Sequence, residues 1–223
     1  MITTRISKET RAEVAYSQLK DAILGNEMPA GAQAMEPELA LRYGVSRATI
    51  REALIRLEAE GLIEIVPRRG ARVLPIVADD MREIYQILIS LESDAAYELA
   101  ARGLTDQELE LLTLANNSMA EALNKEDLAT WAVADDAFHR GILDLHGNKR
   151  LGKIVTSLMH QAHRARLVTR KFRPLPAKSI EEHDGILDAI RVNDADAARD
   201  LFKAHRKRSA NEILEILEKL PQV

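Results

Sequence analysis

Four residues of this 223-residue chain have the types and spacing to hold a metal ion: Asp135, His139, His183 and His205. Asp135 and His139 stand four apart, so on one helix both side chains reach over the same face. His183 and His205 fall in two later helical segments. One carboxylate with three imidazoles suits Zn²⁺, Ni²⁺ or Mn²⁺, and the interior of a helical bundle is a usual place to build such a site. Asp136 is the substitute for Asp135, three rather than four residues before His139. Spacing alone leaves the plainer reading open, in which these are surface or capping residues.

A second set of residues could read nucleic acid. In Gly44 to Ile63, Ile50, Ala53, Leu54 and Leu57 fall at helical spacing and mark the face turned to a core. Arg47 and Arg51, four apart, share a different face. Ser46 stands before the helix as an N-cap and Gly44 supplies the permissive turn. A short helix after a turn, with arginines near its N-terminus, suits the DNA major groove, where guanine edges are the natural targets of arginine. A third group, Arg164, Arg166 and Arg170 with His160 and His163, is either a pocket for an anionic ligand or a solvated charged face.

Composition limits the alternatives. The chain carries a formal net charge of −4 and no cysteine, so disulfides and thiolate metal sites are excluded. Residues 1–76 hold 11 Lys/Arg against 10 Asp/Glu, and the remainder 20 against 25. A DNA reader of this composition must rely on a few placed cations and not on a broad basic field. No apolar run approaches a membrane span, and MITTRISKETRAEV lacks the apolar stretch of a signal peptide, which suggests a cytoplasmic protein. There is no Gly-rich phosphate loop, nucleophile elbow or HExxH helix to indicate an enzyme.

The elements that must position these residues follow from periodicity and turn signals. Helices are expected at Thr10 to Gly25, Glu36 to Tyr43 and across the Gly44–Ile63 stretch. Leu62 to Val66 and Ala71 to Leu74 then form a hairpin around the basic tip Pro67-Arg68-Arg69-Gly70. That order, three helices and a hairpin, is a winged helix-turn-helix. After a polar hinge, Pro75 to Asp79, six helical segments run to Leu220 as an antiparallel bundle, so the chain is mainly α. Thr105 and Asn193 read as N-caps, His146 as a C-terminal cap, Trp131 as packing, and Lys171 with Arg173 as a solvated loop. The division falls at residues 1–76 and 77–223.

Residues 19–74 resemble the DNA-binding domain of the GntR family of bacterial transcription regulators, through LKDAILGNEMPAG and ELALRYGVSRATIREALIRLEAEGLIEIVPRRGARV. The bundle resembles the FCD effector domain of the FadR-like branch, through LESDAAYELAA, Asp135-x-x-Phe138-His139 and EEHDGILDAIRVNDADAARDLFKAH. The resemblance implies DNA contacts from Ser46, Arg47, Thr49 and Arg51, with Arg69-Gly70 at the tip of a wing in the minor groove. A basic contact common in the second helix is replaced by Glu36-Pro37-Glu38-Leu39. It also implies that Asp135, His139, His183 and His205 are metal ligands, with zinc first among the candidate ions.

An effector of small-carboxylate class follows from that likeness, since acyl-CoA-binding relatives lack the ligand set. The arginine that many relatives place just before the Leu-Glu pair is missing from Ile87-Leu88-Ile89-Ser90-Leu91-Glu92. Arg164, Arg166 and Arg170 are therefore the candidates to meet the effector. The implied protein is a homodimeric, ligand-responsive regulator, a repressor, on a palindromic operator. Two rival readings stay beside it: a metal-dependent hydrolase or lyase, and a regulator whose metal is purely structural.

Overall fold

The computed structural model describes residues 10–220; residues 1–9, which include most of the stretch read for a leader, and residues 221–223 lie outside it. Two compact units divide between Val77 and Ala78.

In the first unit, α1 (Arg11–Leu24) opens on a capping box: Thr10 Oγ1 accepts from the Glu13 amide, and the Glu13 carboxylate accepts from the Thr10 amide at 2.7 Å. After β1 (Gln33–Ala34) comes α2 (Glu36–Tyr43), which ends on Gly44 in the left-handed conformation at φ 64°. Next, α3 (Arg47–Ala59) starts from Ser46, whose hydroxyl accepts from the Thr49 amide at 3.1 Å. Strands β2 (Ile63–Val66) and β3 (Gly70–Val73) complete a three-stranded antiparallel sheet in the order β1-β3-β2. Leu19 and Ile23 of α1, Leu39 of α2, Ile50, Leu54 and Leu57 of α3, and Leu62 and Val73 fill one core.

The second unit is helical among its described residues: α4 (Ala78–Arg102), α5 (Asp106–Asn124), α6 (Leu128–His146), α7 (Lys149–Thr169), a 3₁₀ turn Arg170–Phe172, α8 (Ala177–Arg191) and α9 (Ala195–Leu217). Thr105, Asp127, Asn148 and Asp194 cap the starts of α5, α6, α7 and α9 with side-chain acceptors. The principal packing pairs α4 with α9, α5 with α6 and α8 with α9.

Three expectations need correction. The sheet has a third strand, because Gln33 and Ala34 pair with Arg72 and Ala71. The α9 cap is Asp194, which accepts from the Ala197 amide, while Asn193 occupies the left-handed turn at φ 57°. Arg173 is not in a solvated loop: its side chain is only 11% exposed and pairs with Glu212 at 3.1 Å.

The wing has a steric requirement at one position. Gly70 sits at φ 79°, and a Cβ there would lie 2.2 Å from the Ala34 carbonyl oxygen. Gly70→Ala is therefore expected to destabilise the first unit by at least about 1–3 kcal/mol, the usual range for a non-glycine residue held in that conformation. Thermal unfolding of the full chain checks this. The circular-dichroism transition should fall while the fluorescence transition of Trp131, the sole tryptophan and in the second unit, stays in place. An unchanged melt would refute the steric requirement.

Candidate functional site

In the first unit the sequence-derived interface is an exposed face of α3 and the wing. Ile50, Ala53, Leu54 and Leu57 turn into the core, which leaves Arg47 and Arg51 exposed on the opposite side. Neighbouring arginines are engaged: Arg42 pairs with Glu27, Arg72 with Glu64, and Arg56 lies 3.8 Å over the Tyr16 ring. Among the described residues Arg47, Arg51, Arg68 and Arg69 have no carboxylate partner. At the start of α3, Ser46 Oγ and Thr49 Oγ1 stand 2.8 Å apart. At the wing, Arg68 adopts φ 64° and the Arg69 carbonyl accepts from Gln33 Nε2 at 2.6 Å. Free cations beside a helix N-terminus are what a phosphate backbone and guanine edges require.

In the second unit, α6, α8 and α9 bring His139, His183 and His205 together, and all three imidazoles are buried. Each offers a ring nitrogen, and these nitrogens lie within 4.8 Å of one another. His183 Nε2 and His205 Nε2 are 3.2 Å apart. Two imidazole nitrogens bound at about 2.05 Å to one ion stand roughly 3.0–3.4 Å apart at coordination angles of about 90–110°, so this pair already has the spacing of shared ligands. His139 has no hydrogen-bond partner on either ring nitrogen. Its Nε2 faces Asp135 Oδ1 at 3.8 Å and its Nδ1 faces Glu92 Oε1 at 3.7 Å. Asp135 thus borders the cluster, and its other oxygen accepts from Arg166 Nη1 at 2.7 Å.

The surroundings prepare these imidazoles for a cation. Glu182 Oε2 lies 2.7 Å from His205 Nδ1. A carboxylate can only accept, so Nδ1 carries the proton and Nε2 presents its lone pair to the cluster. Burial pushes the Glu182 carboxyl up, but hydrogen bonds from His205 and Arg208 outweigh that and hold it down to about 2. Burial, and then the positive charge of Arg206, holds His139 well below the usual imidazole range. Burial also lowers His183, with His205 adding to the effect. Phe138 stacks on the His183 ring at 3.9 Å between centroids and fixes its plane. The donor set therefore fits a divalent transition metal: neutral nitrogens, one carboxylate at the border, and an imidazole oriented by a second carboxylate.

The remaining expected residues are dispersed. Arg166 pairs with Asp135 and reaches Asp136 at 3.8 Å. Arg170 is exposed at the end of α7 and lines a cleft with Arg166, whereas Arg164 is buried elsewhere on that helix. Trp131 packs with Met119, Ala122 and Ala134. Sequence reasoning missed Glu92, Glu182, Arg206 and Arg208. Glu92 is fully buried and paired with Arg206, which flanks His205. A signal existed: Glu92 continues the stripe Met81, Ile84, Leu88, Ala95, Leu99 on α4, and a carboxylate in such a stripe demands a partner.

The buried histidines make stability depend on pH. All six histidines fall after residue 76. His139 and His183 lie well below the ordinary 6.5, and His163 is lowered by burial and by Arg166 to about 4. Below pH 6.5 the unfolded chain takes up protons that the folded unit refuses, so stability falls as pH falls, by up to about 1.4 kcal/mol per pH unit for each histidine. Glu92, pushed up by burial, acts in the opposite sense. Metal-free protein is expected to melt at clearly lower temperature at pH 5.5 than at pH 7. A melting temperature that does not fall over that interval would contradict the buried neutral imidazoles.

Comparison with known proteins identifies both units. Residues 11–73 match the bacterial regulatory proteins of the gntR family, and residues 83–208 match the FCD domain. The Nta operon transcriptional regulator of Aminobacter aminovorans is 30% identical over 190 residues, covering 84% of this chain and 87% of its own. The HTH-type transcriptional repressor RspR of Escherichia coli K12 is 25% identical over 201 residues, covering 90% and 88%. Among solved structures, E. coli McbR/YncC superposes with a TM-score of 0.79 over 93% of this chain and 99% of that one; at 21% identity this likeness concerns the fold. Among the described residues no helix is long and apolar enough to cross a membrane. The chain belongs to the GntR family of bacterial regulatory proteins, as a DNA-binding transcription regulator with an FCD domain and not an enzyme.

Proposed function

We propose that this regulator is a homodimeric repressor whose grip on a palindromic operator is set by a metal ion and a small carboxylic-acid effector held in the FCD unit. Residues 1–76 read the DNA and residues 77–223 sense the ligand and dimerise. Asp135, His139, His183 and His205 hold the ion, zinc first and nickel or manganese next. Of the three arginines expected to meet the effector, Arg166 and Arg170 supply the cationic side of its site, while Arg164, buried elsewhere on α7, takes no part. The observation that carries this reading is the buried trio of imidazoles with Glu182 behind His205. Burying three imidazoles, one of them with no polar partner, costs stability in the absence of a cation.

On the DNA side, Arg47 and Arg51 address base edges, Ser46 and Thr49 the phosphates beside the α3 start, and Arg69-Gly70 the minor groove. Support comes from the exposure of these arginines and their lack of carboxylate partners.

Purified protein should contain about one transition-metal ion per chain by mass spectrometry, and His139→Ala should lose it. Absence of metal from the native protein, even after incubation with Zn²⁺, Ni²⁺ and Mn²⁺, would refute the ligand set. Operator affinity should change by about 5–150-fold on adding the effector acid, the range typical of such coupling. Arg51→Ala should cost about 1–3 kcal/mol of binding and relax preference at one base step. A uniform loss over all sequences would assign Arg51 to a phosphate instead.

A further inference from the structure

Beside the metal cluster, and separate from it, α6, α7 and the segment after the 3₁₀ turn enclose a cleft with about 520 Å³ of empty space, part of it open to solvent. Trp131, Leu167 and two prolines give it apolar walls, and Arg166, Arg170 and Arg173 also line it, Arg166 paired with Asp135 and Arg173 with Glu212. Two of its lining residues carry buried donors with no acceptor: the indole Nε1 of Trp131 and Nε of Arg173. Trp131 is 8% exposed, so this N–H has left water without gaining a partner. Arg170 has no carboxylate partner among the described residues. His163, held down to about 4 by burial, adds an uncharged wall at neutral pH.

Arg166 belongs to both places. It lines the cleft and also donates to Asp135 Oδ2 at 2.7 Å, with the other Asp135 oxygen 3.8 Å from His139 Nε2. A guanidinium so close to the imidazole trio opposes the arrival of a divalent cation, and also occupies one oxygen of Asp135. An anion in the cleft neutralises that charge and draws Arg166 toward itself. Both effects favour the metal.

We propose that this cleft binds a monocarboxylate with a flat apolar body, and that Arg166 couples its occupancy positively to metal binding at the imidazole cluster. The coupling half rests on the metal site proposed above; the cleft half does not. By reciprocity the metal tightens the acid by the same factor that the acid tightens the metal. The effector class is thereby narrowed: the carboxylate meets Arg166 and Arg170 and the apolar body lies against Trp131, rather than the acid sitting on the ion.

The experiment uses the full-length protein and benzoate as the probe, with the fluorescence of Trp131, the sole tryptophan, as the readout. Benzoate should give a saturable change in metal-free protein, and acetate, which has the charge without the body, should give a much weaker one. The benzoate dissociation constant should fall by about five-fold or more in Zn²⁺-loaded protein. Arg170→Ala, an exposed substitution, should weaken benzoate without changing metal stoichiometry. Arg166→Gln should abolish the dependence of benzoate affinity on zinc.

No saturable change in a protein that binds one zinc would overturn the cleft and leave the metal site standing. Benzoate binding that needs zinc and ignores Arg170→Ala would place the acid on the ion and overturn the cleft as well. Saturable, Arg170-dependent binding with the same constant at all zinc levels would overturn the coupling. If the protein takes up no zinc, the metal reading fails and the coupling with it, while benzoate titration still decides the cleft.

Discussion

The second unit is governed by the need to compensate buried charge and buried polar nitrogen. Glu92, Asp135, Arg206 and three imidazoles all lie in its interior. Glu92, Asp135 and Arg206 could not stay there alone, because an ionised group without a partner in a low-dielectric interior costs several kcal/mol. Each therefore recruits a group from another helix. Glu92 of α4 meets Arg206 of α9, Asp135 of α6 meets Arg166 of α7, and Glu182 of α8 meets His205 of α9. Five helices are tied to one centre by charge as well as by apolar packing. Replacing such buried pairs with well-packed apolar residues of similar volume is often neutral or stabilising for a fold. The polar interior is thus a feature of the site and not of the fold.

The first unit solves the opposite problem. It carries little net charge, yet must hold an anionic polymer. It does so by neutralising the arginines it does not need, through Glu27, Glu64 and the Tyr16 ring, and by leaving Arg47, Arg51, Arg68 and Arg69 unmatched on one helix and one turn. Few cations in fixed places give a modest salt dependence and a strong demand on geometry.

Much of this was legible before any coordinates. The helix-helix-helix-hairpin order, the N-cap at Ser46 and the inward stripe of α3 follow from period, caps and glycine positions, because these are local. The convergence of His139, His183 and His205 was legible only as composition and through the family resemblance. Histidines that lie 44 and 22 positions apart along the chain carry no local signal of proximity. What escaped is informative. The strand at Gln33 has two residues and no alternation, and exists because β3 needs a partner on its free edge. Arg173 looked solvated beside two prolines, yet the long side chain folds back to Glu212. Glu182 and Arg206 are each one residue from a histidine, and their neighbours drew the attention.

The hydrogen bond from Gln33 to the Arg69 carbonyl, together with the close seat of Gly70 against Ala34, ties the tip of the wing to β1. A loop that must order itself on docking gives up conformational entropy at that moment; one already fixed does not. For a regulator that samples many wrong sites before the right one, this shifts where discrimination resides. On the reading proposed above, in which Arg69-Gly70 enters the minor groove, a tip tied down in this way tests the width of the groove on contact, and a poor fit is expressed as rapid release.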